Sequence, residues 1–151
     1  MRIRKFTSEI FLPLPPDELF PFFADAANLN SITPPWLHFR VVTPPPIVMR
    51  EGTLIDYRLR VRGLPLSWRT LIKEWQPPHC FVDEQLRGPY RQWIHKHTFE
   101  ASRGGTIARD WVRYAAPFDF LTHRWLVRPD IESIFRFRAE ALQKRFAAIQ
   151  Q

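Results

Sequence analysis

The 151-residue sequence is poor in residues that form cross-links, metal clusters or phosphate loops. Its single cysteine, Cys80, excludes an internal disulfide and a zinc site built on several thiolates. With only five glycines, it contains neither a glycine-rich phosphate loop nor a Gly-x-Ser-x-Gly nucleophile turn. No run of about 18 apolar residues is present, so we expect no membrane span. The amino terminus lacks a long apolar run with a cleavage site, so we expect no signal peptide and a cytoplasmic protein.

Charge is the next compositional feature, because a formal net charge of +7 is compatible with a nucleic-acid partner. The arginines are, however, spread along the chain. Arg58, Arg60 and Arg62 alternate along one predicted strand, which is typical of a solvated sheet face. Neither a base-stacking motif nor a helix-turn-helix pattern accompanies the charge. We therefore expect no nucleic-acid partner.

The first third of the chain predicts one strand and two short helices. The strand covers about residues 3–12 and ends at "PLPP". A helix then starts at Pro16 and places Leu19, Phe22 and Phe23 on one face. The segment "AANLNSI" predicts a second short helix, which "TPPW" would end.

Six further strands are predicted in the middle of the chain, because apolar and polar residues alternate between closely spaced turns. We place these turns at "GLP", at Gly88-Pro89 and at Gly104-Gly105. Such a series indicates an antiparallel meander. The predicted strands are "WLHFRVVTP", "GTLIDYRLRVRG", "LSWRTLIKEWQPP", "HCFVDEQLRGP", "RQWIHKHTFE" and "TIARDWVRYAAP".

The last segment, from about residue 121 to residue 151, changes to a helical period. Apolar residues recur every three or four positions over about five turns, interrupted by Arg138. Pro129 divides a preceding turn from the long helix. A sheet with one apolar face needs a cover, and this helix is the largest candidate. The residues on its apolar period are Ile131, Ile134, Phe135, Leu142, Phe146 and Ile149.

This order of elements resembles the helix-grip fold of the START-like (SRPBCC) superfamily, which includes birch-pollen-allergen-like proteins and polyketide cyclases. The resemblance rests on "PPDELFPFFADAANLNSITPPW", "GPYRQWIHKHTFE", the "GGT" turn, "APF" and "IFRFR", and it covers nearly the whole chain. It implies one α+β domain over residues 1–151. In such a domain, a seven-stranded antiparallel sheet curls around the long carboxy-terminal helix and leaves a cavity between them.

The strand "RQWIHKHTFE" carries the most informative polar residues. Trp93, His95, His97 and Phe99 alternate, so they share one face of the sheet. Asp110 on the following strand can reach the same face. If the hairpin at Gly88-Pro89 sets the register, Asp83 and Gln85 join it as well.

Three interpretations of these histidines remain open. His-x-His can chelate a metal with Asp83 or Asp110 as a third ligand, but it is weak evidence alone, and we predict no metal and no cofactor. The two rings can also form structural hydrogen bonds to Asp83, Gln85 or Asp110, because unpaired buried polar groups are costly. Finally, a histidine oriented by an aspartate is the usual general base.

The sequence leads to one main functional hypothesis and two alternatives. The high aromatic content, with six tryptophans and 13 phenylalanines, favours an apolar cavity of roughly 300–1,000 Å³ with a few polar anchors. We expect it to bind a small lipophilic ligand. One alternative is a cyclase- or dehydratase-type enzyme using a histidine–aspartate pair, and the other is a protein-partner module with a filled interior. The candidate ligand-binding residues are Tyr57, Trp68, Asp83, Gln85, Trp93, His95, His97, Phe99, Asp110, Tyr114, Phe135 and Arg138.

Overall fold

A computed structural model describes residues 1–147 and confirms the predicted α+β helix-grip architecture. Seven antiparallel strands form one sheet in the order β1-β7-β6-β5-β4-β3-β2. Consecutive strands from β2 to β7 are neighbours, and β1 lies at one edge of the sheet, where it pairs with β7. The strands are β1 (Arg4–Leu12), β2 (Arg40–Val41), β3 (Leu54–Val61), β4 (Leu64–Gln76), β5 (Cys80–Arg87), β6 (Gln92–Ser102) and β7 (Gly105–Ala115).

Helical elements lie between β1 and β2 and again after β7. Helix α1 (Pro16–Phe23) and a 3₁₀ helix (Ala26–Ile32) are the two short helices predicted after the first strand. After β7, helix α2 (Asp119–Thr122) continues through a π turn (His123–Val127) into α3 (Arg128–Ala147). Within residues 1–147, no helix is long and apolar enough to cross a membrane.

The segment after the second short helix differs from the prediction. We expected "WLHFRVVTP" to be a strand, but Pro35–Leu37 form another 3₁₀ turn and only Arg40–Val41 pair with β3. Pro35 lies in the first turn, where a proline is tolerated because its missing N–H would have no partner. His38 adopts a left-handed conformation that ends the turn.

Two hairpin turns lie one residue or more from their predicted positions. Arg62-Gly63 connects β3 to β4, and Arg103-Gly104 connects β6 to β7. All four residues have positive φ angles, as a two-residue hairpin of the mirror-image type requires. Gly105 therefore belongs to β7, where a Cβ atom would lie 2.5 Å from the carbonyl oxygen of Leu12.

The sheet bends towards α3, which lies across its concave face. Two register shifts in the pairing of β4 with β5 provide local bends of the kind that β-bulges produce. The carboxy-terminal half of α3 packs through Leu142 and Phe146 against α1, and its amino-terminal half packs through Ile131 and Phe135 against β7. Four residues of the predicted apolar face are thus buried, Ile134 is half-buried, and Ile149 lies outside the described residues.

Candidate functional site

A cavity of about 190 Å³ lies between the concave sheet face, α3 and the two 3₁₀ elements. Its walls come mainly from β3 and β4 on one side and the 3₁₀ elements on the other. Most of its surface is apolar, and its ionisable groups are confined to one end. The lining residues are Phe23, Ala26, Leu29, Thr33, Leu37, Phe39, Met49, Ile55, Tyr57, Leu59, Trp68, Thr70, Ile72, Phe81, Asp83, His95, His97 and Arg138.

The cavity is smaller than the 300–1,000 Å³ expected from the sequence. Aromatic side chains fill the remaining interior. Phe20, Phe81 and Phe99 pack together beneath α1, and Trp93 packs against Trp68. A cavity of this size is comparable to one that holds a single small ring compound such as benzene, at about 150 Å³.

The polar end of the cavity combines side chains from three adjacent strands and α3. Strand register places Asp83 of β5 opposite His95 of β6, and His97 opposite Asp110 of β7. Because side chains alternate along each strand, all four point to the concave face. Arg138 reaches the same point from α3 and retains only 13% side-chain exposure.

Short hydrogen bonds join these five side chains into one network. His97 Nε2 lies 2.7 Å from a carboxylate oxygen of Asp83, and His95 Nε2 lies 2.7 Å from Asp110 Oδ1. His97 Nδ1 lies 3.4 Å from Asp110 Oδ1, to which it can donate when His97 is protonated, and 3.4 Å from Arg138 Nη2, from which it can accept when His97 is neutral. Arg138 Nη2 is 3.8 Å from Asp110 Oδ1. Since a carboxylate only accepts hydrogen bonds, Nε2 of each imidazole is the protonated nitrogen. A neutral His95 therefore carries its lone pair on Nδ1.

The two imidazoles differ in their affinity for a second proton. Burial and the neighbouring charge of His97 lower the pKa of His95. Burial also opposes a charge on His97, but its hydrogen bonds to Asp110 and Asp83 outweigh that effect and raise its pKa. As pH falls, the second proton therefore goes to His97 before His95, because two stacked imidazoles cannot both be charged at low cost.

The carboxylates of the network remain ionised. Burial acts to raise the pKa of Asp110, but the Arg138 charge and the hydrogen bonds from both imidazoles hold it well below its usual range. Burial also acts to raise the pKa of Asp83, but its hydrogen bond to His97 and the nearby charges of His95, His97 and Arg138 together lower it. When His97 is protonated, two carboxylates are balanced by one imidazolium and one guanidinium, and the buried network is then neutral overall.

Asp83, His95 and His97 also offer one possible metal-ligating atom each, all within 4.8 Å of one another. Two imidazoles and a carboxylate form a donor set that suits zinc or iron. In the present arrangement, however, Nε2 of each ring is engaged by a carboxylate at 2.7 Å. Metal binding through those atoms would have to break both hydrogen bonds, so the geometry favours a proton-holding network.

Six of the twelve predicted ligand-binding residues line the cavity: Tyr57, Trp68, Asp83, His95, His97 and Arg138. The other six do not, for physical reasons that the structure shows. Asp110 lies behind the histidines, and Gln85 bonds to the backbone of Tyr90. Tyr114 bonds to His123, and the remaining aromatic residues pack against other aromatic rings. These remaining residues are Trp93, Phe99 and Phe135.

Most of the apolar residues that line the cavity are not among the residues predicted from the sequence. Ala26, Leu29 and Leu37 come from the 3₁₀ elements, and Met49 comes from the segment before β3. Their cavity-facing positions depend on how those irregular segments fold back. In contrast, Ile55 and Ile72 share the inward strand period of Tyr57 and Trp68, so strand alternation was a usable signal for them.

The fold and the mostly apolar cavity with its one ionisable end define a ligand-binding scaffold of the helix-grip class. Residues 12–143 match the family described as "Polyketide cyclase / dehydrase and lipid transport". The chain belongs to this family, and the predicted membership of the START-like superfamily is confirmed. No curated protein matches the sequence.

Solved structures with similar folds cover almost the whole chain. An aromatase/cyclase, Zhui from Streptomyces sp. R1128, has a TM-score of 0.74 at 14% identity, covering 99% of this chain and 97% of its own. Ara h 8.0201 has a TM-score of 0.72 at 17% identity, covering 97% and 99%. Protein Ms6760 from Mycobacterium smegmatis has a TM-score of 0.71 at 17% identity, covering 99% and 98%. At these identities, the likeness is one of fold.

Proposed function

We propose that this protein binds a small lipophilic molecule that carries one polar oxygen group. The observation that supports the proposal is the polarity of the cavity, which is apolar over most of its wall and brings acidic and basic side chains together where Asp83, His95, His97 and Arg138 meet. An apolar body would occupy the region between β3, β4 and the 3₁₀ elements. The polar oxygen would face the network.

The ligand's polar group is expected to be a hydrogen-bond acceptor. Arg138 Nε is buried without a hydrogen-bond partner among residues 1–147. An unpaired buried donor costs about 1–3 kcal/mol, which a ligand oxygen would recover. A phenolic, enolic or carbonyl oxygen on one or two rings satisfies both the volume and this donor.

The proposed compartment is the cytoplasm, which the single free thiol of Cys80 supports. A nucleic-acid partner is not part of the proposal. Arg58 and Arg60 lie on the solvated outer face of β3, away from the cavity.

Binding can be tested by native mass spectrometry of freshly purified protein and by calorimetric titration with 2-naphthol. We expect measurable affinity for 2-naphthol and weaker binding of naphthalene, which lacks the oxygen. Arg138→Met should reduce the affinity for 2-naphthol towards that for naphthalene. Equal affinity for the two compounds in the wild type would contradict the proposed polar contact.

A cavity-filling variant separates internal binding from surface adsorption. Leu29 lines the cavity, whereas Leu86 is exposed on β5 outside it. Leu29→Trp should weaken 2-naphthol binding at least tenfold, because the added ring occupies the cavity, and Leu86→Trp should leave it unchanged. Circular-dichroism melting checks that both variants fold. Undiminished binding in a folded Leu29→Trp protein would mean that the cavity is not the site.

The two aspartate–histidine pairs favour a second candidate function, an acid–base dehydration. Neighbouring groups whose pKa values are shifted in opposite directions are the usual arrangement of a base and an acid. Neutral His95 would remove a proton from the carbon next to a carbonyl. Protonated His97 would donate its proton to the departing hydroxyl group, which leaves as water.

Dehydration of 4-hydroxy-4-phenylbutan-2-one to the conjugated enone tests this candidate by absorbance. Turnover that collapses in His95→Gln, with ligand affinity retained, would establish catalysis. Binding without turnover in the wild type would leave the protein as a binder only.

A further inference from the structure

Residues 118–126 present an unusual surface between β7 and α3. Five large apolar side chains are exposed within nine residues, and Phe120 and Trp125 are 83% and 70% exposed. We call this set the aromatic patch. It comprises Phe118, Phe120, Leu121, Trp125 and Leu126.

The backbone holds these side chains outward. Phe118 adopts a left-handed conformation with φ +53°, which is unusual for a bulky residue. The π turn His123–Val127 then places Trp125 five residues after Phe120 and Leu126 five residues after Leu121, so the four lie on adjoining turns. Two unusual backbone features thus coincide with the exposed apolar group.

Two polar residues within the segment 118–126 form hydrogen bonds to the sheet. Arg4 of β1 forms two hydrogen bonds of 2.8 and 2.9 Å to Asp119, and Tyr114 bonds to His123 at 2.9 Å. The polar side of the segment is therefore turned towards the sheet.

A basic groove adjoins the aromatic patch. It is lined by Arg2, Arg4, Lys5, His123 and Arg128, together with residues of β1 and α3. Arg4 and Arg128 are paired with Asp119 and Glu132. Among the residues that the structure describes, no carboxylate forms an ion pair with Arg2, Lys5 or Arg124.

Exposed Trp, Phe and Leu beside unpaired basic residues match the chemistry of an anionic lipid surface. Aromatic side chains favour the boundary between headgroups and acyl chains, and Arg or Lys attracts anionic headgroups. We propose that residues 118–126 dock the protein on an anionic bilayer, with the aromatic patch inserted and the basic groove facing the headgroup phosphates. This proposal does not depend on what occupies the internal cavity.

Sedimentation with vesicles tests the docking. The full chain is mixed with vesicles of phosphatidylcholine alone or with 30% phosphatidylglycerol. We expect binding to the anionic vesicles that weakens at high salt, because added ions screen the headgroup charge. Absence of binding to anionic vesicles would overturn the proposal.

Matched variants assign the contact to residues. Phe120→Ser/Trp125→Ser should reduce vesicle binding at least tenfold, and Arg124→Gln about fivefold, the equivalent of one surface cation. Trp111→Ser alters another exposed tryptophan, on the outer face of β7, and should have no effect. Equal losses in the Trp111 variant would contradict the assignment. A concentration-dependent dimer that the double variant abolishes, without vesicle binding, would instead make this an interface between copies of the chain.

Discussion

The imidazole rings of His95 and His97 stack with their centroids 3.6 Å apart and their planes 26° from parallel. Nε2 of each ring bonds to a different carboxylate, so the two Nε2 atoms have distinct environments although the rings touch. Phe81 stacks on the other face of His97, at 4.0 Å. This sandwich orders the rings and couples their protonation.

The two histidines should titrate on opposite sides of the ordinary value of about 6.5. Nitrogen-detected imidazole spectra should give His97 a pKa above that value and His95 a pKa below it. In His97→Gln, the pKa of His95 should rise, because the neighbouring positive charge is removed. Two rings titrating together near 6.5 would show that they are not coupled in solution.

Because the pKa of His97 is raised in the folded protein, its contribution to the free energy of unfolding should fall as pH rises. The stabilisation from its charged form is fully present below about pH 6.5 and is lost as pH rises through the higher folded-state pKa. The difference in unfolding free energy between wild type and His97→Gln should therefore decrease from pH 6 upwards. Urea unfolding at half-unit pH intervals measures it. A difference that grows with pH would reverse the assignment.

Charge balance in the network should make Asp110 and Arg138 strongly interdependent. Asp110→Asn or Arg138→Met alone should destabilise the protein by about 3 kcal/mol or more, because each leaves a buried charge uncompensated. The double variant should cost less than the sum, by about 1–3 kcal/mol. Chemical denaturation of all four proteins gives the coupling energy.

A surface ion pair is the control for that cycle. Asp56 and Arg69 are joined at 2.8 Å, but both side chains are about 40% exposed. Asp56→Asn should cost less than about 1 kcal/mol, since exposed pairs are screened by solvent. Strict additivity at Asp110 and Arg138 would mean that they too act independently.

The hydroxyl group of Thr106 should stabilise the contact between β7 and the segment that precedes α1. Its hydroxyl donates to the carbonyl oxygen of Leu14 at 2.6 Å and is fully buried, linking β7 to the segment before α1. Thr106→Val should cost about 1–3 kcal/mol, because a buried carbonyl group loses its donor. Thr7→Val, at an exposed position on β1, should stay within about 0.5 kcal/mol. Similar thermal stability of the two variants would refute this role.

The regular elements followed from local patterns that tertiary packing did not override. Alternation along "RQWIHKHTFE" places His95 and His97 on one face whatever the partner strand is. The hairpin near Gly88-Pro89 then predicts Asp83 beside them, and the structure has Asp83 opposite His95. The polar end of the site was therefore accessible from strand period and hairpin register.

The irregular parts were not accessible in the same way. Trp36 and Leu37 have the apolar character of a strand, yet the Pro34-Pro35 pair leads them into a 3₁₀ turn. Whether Trp93 or Phe99 faces the cavity or another ring depends on packing across the interior, which strand period does not specify. The smaller cavity has the same origin, because aromatic rings chosen as lining instead fill the space.

The two ends of the cavity have different mechanical supports. Its ionisable end is fixed by three hydrogen-bonded strands and a long helix, whereas its apolar end is closed by 3₁₀ turns and the connection that carries Met49. Substitutions, insertions and deletions are tolerated far better in such connections than in paired strands. Related chains can therefore acquire new ligand sizes by remodelling residues 26–53 while the chemistry at the opposite end is inherited unchanged.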